Sequence, residues 1–84
     1  MKAPKITSVK ARENKRLWVK FANGVEKIYD CTPLLDRAMF QVLKNDAFFT
    51  SVRVDPGGFG ISWNEDVDLS EYELWTNSTE VVMA

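Results

Sequence analysis

The chain has 84 residues, 45% hydrophobic and 12% aromatic, with a net charge of −1. That is enough for one small core and excludes a disordered chain, which needs low hydrophobicity and a large net charge. A lone Cys31 and the lack of any histidine exclude an internal disulfide, Ser-His and Cys-His nucleophile arrangements, and the usual zinc ligand sets.

In chain order, Ile6 to Arg12 reads as a first strand with Val9 and Ala11 as its apolar members, and Glu13-Asn14-Lys15 as a polar turn. Leu17-Trp18-Val19-Lys20-Phe21 is the clearest strand, because its apolar residues alternate. Asn23-Gly24 predicts a two-residue type I′ turn, whose two central residues need positive φ, and Val25 to Asp30 returns as the next strand. With Ala22 opposite Val25, Val19 faces Ile28 and Trp18 faces Tyr29. Leu17, Val19, Phe21 and Ile28 then line one side of the hairpin, and Trp18, Lys20, Lys27 and Tyr29 the other.

Thr32-Pro33 reads as a helix start, with Thr32 as the cap and Pro33 at the first helical position. Leu34, Leu35, Ala38, Met39, Val42 and Leu43 follow with helical spacing, and Asn45-Asp46 ends the run. Ala47-Phe48-Phe49 is a short apolar bridge. Val52-Arg53-Val54, the turn Asp55-Pro56-Gly57-Gly58, and Phe59 to Trp63 predict a second hairpin, with Phe59, Ile61 and Trp63 on one face. Ser70 caps a short helix that has Glu71 and Glu73 in its first turn, and the stretch from Thr76 to Ala84 reads as a frayed tail or an edge strand.

The expected architecture is α+β, one domain over residues 1–84. It has a mostly antiparallel sheet of about five strands with two or three short helices, in the order β-β-β-α-β-β-α. A weak echo between the two hairpins (Val19-Lys20-Phe21 with Val52-Arg53-Val54, Gly24 with Gly57, Ile28 with Ile61) suggests two hairpin-plus-helix units on one sheet.

Several motifs together resemble family 2442 of the domains of unknown function, small prokaryotic proteins. They are Val19-Lys20-Phe21-Ala22-Asn23-Gly24, Asp30 with Pro33-Leu34-Leu35, Phe49-Thr50-Ser51-Val52-Arg53-Val54-Asp55, and Trp63 followed by Asp68-Leu69 and Leu74. After Trp63 the family usually shows Pro-Asn-Gly where this chain has Asn64-Glu65-Asp66, and Ala38 stands where the family often has Gly. The resemblance implies no established activity and no catalytic residue. Some members are fused to a helix-turn-helix domain and others are encoded beside a small partner protein, which implies a regulatory or partner-binding module.

The charge is unevenly placed. Residues 1–44 hold ten Lys/Arg and four Asp/Glu, and residues 45–84 hold one and eight. Either the halves attract each other within one fold, or they present a bipolar surface to a partner. The acidic stretch Glu65, Asp66, Asp68, Glu71 and Glu73 lacks calcium-loop spacing and reads as a solvated loop with helix-capping acids. Cys31 reads as a small buried filler. Asn77-Ser78-Thr79 matches a glycosylation acceptor by chance, since the opening Met1-Lys2-Ala3-Pro4-Lys5 carries no export signal.

No enzymatic activity, cofactor, metal or membrane span is expected, and the expected compartment is the cytoplasm. The candidate interaction surface is Trp18, Lys20, Lys27 and Tyr29, for a protein partner or self-association. A basic aromatic sheet face for nucleic acid is the alternative, which the overall negative charge disfavours.

Overall fold

A computed structural model describes residues 3–81. In chain order the elements are β1 (Ile6–Arg12), a 3-10 turn (Glu13–Lys15), β2 (Arg16–Phe21), β3 (Glu26–Asp30), two 3-10 segments (Thr32–Asp36 and Ala38–Lys44), α1 (Asp46–Phe49), β4 (Arg53–Val54), a 3-10 turn (Pro56–Gly58), β5 (Gly60–Ser62), β6 (Asp68–Ser70), α2 (Glu71–Asn77) and β7 (Thr79–Glu80). The fold is α+β and every strand pairing is antiparallel. The strands divide between two sheets, ordered β1-β2-β3-β7 and β4-β5-β6, where the sequence suggested about five strands in one.

The β2–β3 register differs from the expected one. Phe21 accepts at its carbonyl from the Gly24 N–H and donates its own N–H to Val25, each at 2.9 Å, and Gly24 has φ +89°. This is a three-residue loop closed by a left-handed glycine, not a two-residue turn. Leu17 therefore faces Tyr29, Trp18 faces Ile28, Val19 faces Lys27 and Lys20 faces Glu26. A one-residue slip moves every β3 side chain to the other face. Tyr29 joins Leu17, Val19 and Phe21 in the core, and Ile28 moves out beside Trp18.

The single helix expected after Thr32 is instead two 3-10 segments parted by Arg37, whose backbone is extended (φ −96°, ψ 135°). The i, i+3 spacing of the apolar residues suits a 3-10 turn as well as an α-helix. Leu34, Phe40 and Leu43 are buried, whereas Met39 and Val42 are exposed. Thr32 does not cap. Its N–H and hydroxyl both donate to Asp30 Oδ1, at 3.0 and 2.7 Å, so Asp30 fixes the turn into the segment.

The second sheet carries Ile61, Trp63, Val67 and Leu69 into the core. Phe59 does not follow Ile61 and Trp63 inward. It is exposed, with the Lys5 ammonium 4.0 Å from its ring centre. Trp63 stacks on Phe49 at 6.1 Å and donates its indole N–H to the Phe49 carbonyl at 2.9 Å, which ties α1 to this sheet. The two sheets meet at Gly58, which has φ +76° and on which a Cβ would lie 2.6 Å from the Ile6 carbonyl oxygen. Ser70 caps α2 as expected, accepting from the Glu73 N–H at 3.1 Å. The edge-strand reading of the C-terminal stretch holds for Thr79–Glu80, which pairs with Lys27 and Ile28 of β3; residues 82–84 lie outside the described residues.

After Trp63, Asn64 builds the turn with its side chain. Its Oδ1 accepts from the Asp66 and Val67 N–H groups, both at 2.8 Å, while Trp63 donates its N–H to the Val67 carbonyl at 2.9 Å. Asn64→Ala is expected to cost about 1–2 kcal/mol in urea unfolding, because two amide donors lose their acceptor, while Asn64→Asp retains most of it. An unchanged Asn64→Ala midpoint would mean that the Trp63–Val67 bond alone sets the turn.

Candidate functional site

The first sheet has two unlike faces. Val9, Ala11, Leu17, Val19, Phe21, Lys27 and Tyr29 share the inner face by register, and α2 packs there. Trp75 of α2 meets Phe21 edge-to-face at 5.0 Å and 78°. The Tyr29 hydroxyl donates to Glu73 at 2.9 Å, and burial together with this carboxylate pushes the phenol well above its ordinary range. Lys27 donates to the Trp75 carbonyl at 2.6 Å, with its ammonium 4.1 Å from the Trp75 ring centre. A cation near the end of α2 suits the negative end of the helix dipole.

The outer face carries Ser8, Lys10, Arg12, Arg16, Trp18, Lys20, Glu26 and Ile28. The indole of Trp18 is half-buried and donates its N–H to Glu26 at 2.6 Å, and the Arg12 guanidinium lies 5.1 Å from its ring centre. Lys10, Arg12, Arg16 and Lys20 are exposed around it. An indole fixed by a carboxylate and surrounded by cations is a preorganised aromatic group of the kind that anchors protein interfaces.

The structure thus parts the four candidate residues. Trp18 and Lys20 lie together on the outer face, and Lys27 and Tyr29 lie on the inner one against α2. Lys10, Arg12 and Glu26, which the sequence reading did not single out, complete the Trp18 surroundings. Alternation within β1 placed Lys10 and Arg12 on one side, but only the pairing of Lys10 with Trp18 shows that this side is shared.

Two other features bear on chemistry. Lys15, with φ +59°, reaches α1, where its ammonium pairs with Asp46 and donates to the Lys44 carbonyl at 3.3 Å. Cys31 is free and fully buried, and burial, with a smaller effect from Asp30, pushes its thiol up to about 12. A thiol this reluctant to ionise is no nucleophile near neutrality. Among the described residues no three His, Cys, Asp or Glu side chains converge as metal ligands, and no helix is long and apolar enough to cross a membrane.

A family model described as protein of unknown function (DUF2442) matches residues 6–80. The chain belongs to the DUF2442 family. The match runs from the first residue of β1 to the last of β7, so both sheets and α2 lie within the DUF2442 unit. No curated protein and no solved structure matches the chain.

Proposed function

We propose that this DUF2442 chain is a non-enzymatic, cytoplasmic interaction module that holds a partner protein on the outer face of its first sheet. Trp18 is the anchor and Lys20 a steering charge. The observation that carries the reading is the Trp18 indole, pinned by Glu26 among four exposed cations on a face opposite the core. Lys27 and Tyr29 contribute indirectly, by fastening α2 to the back of the same sheet. A nucleic-acid reading is the weaker one. Arg12 already occupies a position over the indole, and Glu26 and Asp30 place negative charge on the same face, which phosphates would meet.

Trp18→Ala is expected to cut recovery of the partner from native lysate at least about tenfold, since a central aromatic anchor contributes roughly 2 kcal/mol or more. The melting temperature of the variant is expected to change little, and recovery to survive nuclease. A large melting-temperature loss with unchanged recovery would show that Trp18 is only sheet packing. Partners lost on nuclease treatment would make the face a nucleic-acid surface.

A further inference from the structure

The strand register arranges the outer face of the first sheet around Trp18. Lys10 and Ile28 flank the indole on the neighbouring strands. On the β1 side the outward side chains are Ser8, Lys10 and Arg12, with no acid among them. On the β3 side they are Glu26, Ile28 and Asp30. Counting Arg16 and Lys20 of β2, four cations stand against two carboxylates, a surplus of +2.

The surplus gathers at a real depression. Ser8, Lys10, Arg12, Trp18, Lys20 and Glu26 line a cleft of about 280 Å³. That is below the roughly 300–1,000 Å³ of pockets that enclose a drug-sized molecule, and it suits one side chain better than a whole metabolite. Glu26, the cleft's own carboxylate, already accepts the Trp18 indole N–H at 2.6 Å. The one ion pair among the described residues is Lys15 with Asp46, so no carboxylate of the chain is paired with Lys10, Arg12 or Lys20. The Arg12 guanidinium lies 5.1 Å from the indole centre. An arginine placed on an aromatic ring keeps its planar fork, which can give two N–H donors to one carboxylate.

A second copy is a poor occupant. Laid face to face, it would set a surplus of +2 against another +2. Turned so that Arg12 meets Asp30 of the other copy, it would bring Lys20 and Arg16 of β2 onto their own counterparts, and like charges repel.

We infer that the partner held on this face is an acidic protein surface: one carboxylate enters the cleft between Lys10, Arg12 and Lys20, and an apolar neighbour rests against Trp18 and Ile28. Both of these stay partly exposed, so there is apolar surface to cover. This rests on the proposed interaction role and names the partner's chemistry. The cations steer the approach and fix the register, and the indole supplies the apolar contact.

The probe is the capped peptide acetyl-Glu-Glu-Leu-Glu-Glu-amide, titrated into the intact chain. Binding is followed by the shift of the Trp18 indole N–H and of the Lys10, Arg12 and Lys20 amides. Controls are the same peptide with Gln for Glu, the same peptide with Gly for Leu, inorganic phosphate and oligothymidylate. The acidic peptide is expected to bind about tenfold more tightly than the Gln peptide and about threefold more tightly than the Gly peptide. Lys10→Gln with Lys20→Gln is expected to weaken it about tenfold at an unchanged melting temperature. Arg12→Lys is expected to weaken it about threefold, because the charge stays and the fork is lost. Equal binding of the Gln peptide, or no shift at about 5 mM acidic peptide, would overturn the inference. Phosphate or oligothymidylate binding as tightly as the peptide would overturn it in favour of a general anion patch. Sedimentation showing self-association that depends on Lys10 and Lys20 would overturn it in favour of a second copy. A failed peptide with recovery still dependent on Trp18 removes the acidic assignment and leaves the anchor. A bound peptide with recovery indifferent to Trp18 removes the anchor and leaves the acidic assignment.

Discussion

Phe21→Ala is expected to lower the unfolding free energy by about 3–5 kcal/mol, the usual cost of emptying a buried aromatic site. For 84 residues the whole stability is roughly 4–13 kcal/mol, so the variant stands near the threshold of folding. Phe21 is 1% exposed, and three structures converge on it. It ends β2, its backbone closes the loop to β3, and its ring is the edge-to-face partner of Trp75. Truncation leaves a cavity where α2 meets the sheet. Urea unfolding checks the magnitude, and Phe21→Leu is expected to recover more than half of the loss. A Phe21→Ala cost under about 1.5 kcal/mol would mean that the site collapses around the smaller side chain.

Stability is also expected to fall steeply in alkali, by about 4 kcal/mol between about pH 9 and 12, through Cys31. The thiol titrates near 9.0 when free and near 12 in the fold. The folded chain thus holds the proton more tightly than the unfolded one. The contribution is complete below about pH 9 and disappears as pH rises through the folded value, at about 1.4 kcal/mol per pH unit. Tyr29 acts with the same sign at higher pH, since its phenol is also raised, first by burial and then by Glu73. Cys31→Ala removes one source and leaves the other. Its urea midpoint is expected to sit slightly below that of the parent near pH 8 and to fall less steeply up to about pH 10.5. Parallel curves for the two chains would show that Cys31 ionises in the fold as readily as outside it.

Short-range signals were legible in the sequence, and choices that depend on distant contacts were not. Ser70 at the start of α2, the Pro56-Gly57 turn and the alternation in β2 are local, and each lies where its residues place it. Asn23-Gly24 was ambiguous, because Gly24 with positive φ serves a two-residue and a three-residue loop equally well. That single residue decides whether Tyr29 or Ile28 is inside, and so which side chains surround Trp18. Residues 34–43 carry a spacing that 3-10 and α-helices share, and the extended Arg37 between them has no sequence mark. Of the four candidate residues, Trp18 and Lys20 do share a face, because they belong to one strand, where parity alone fixes the face. Lys27 and Tyr29 were assigned through the loop, and the loop was misread.

The pairing of β7 with β3 sets an order of events in folding. The first three strands are joined by short loops and can zip within microseconds. Their sheet stays one strand short until residues 79–80 arrive, after some fifty intervening residues have been laid down as the second sheet and α2. Closure of so long a loop comes late and slowly. During synthesis the outer edge of β3 therefore stays open until Thr79 and Glu80 have been added, and a nascent chain stalled before Thr79 presents a bare strand to its neighbours on the same message.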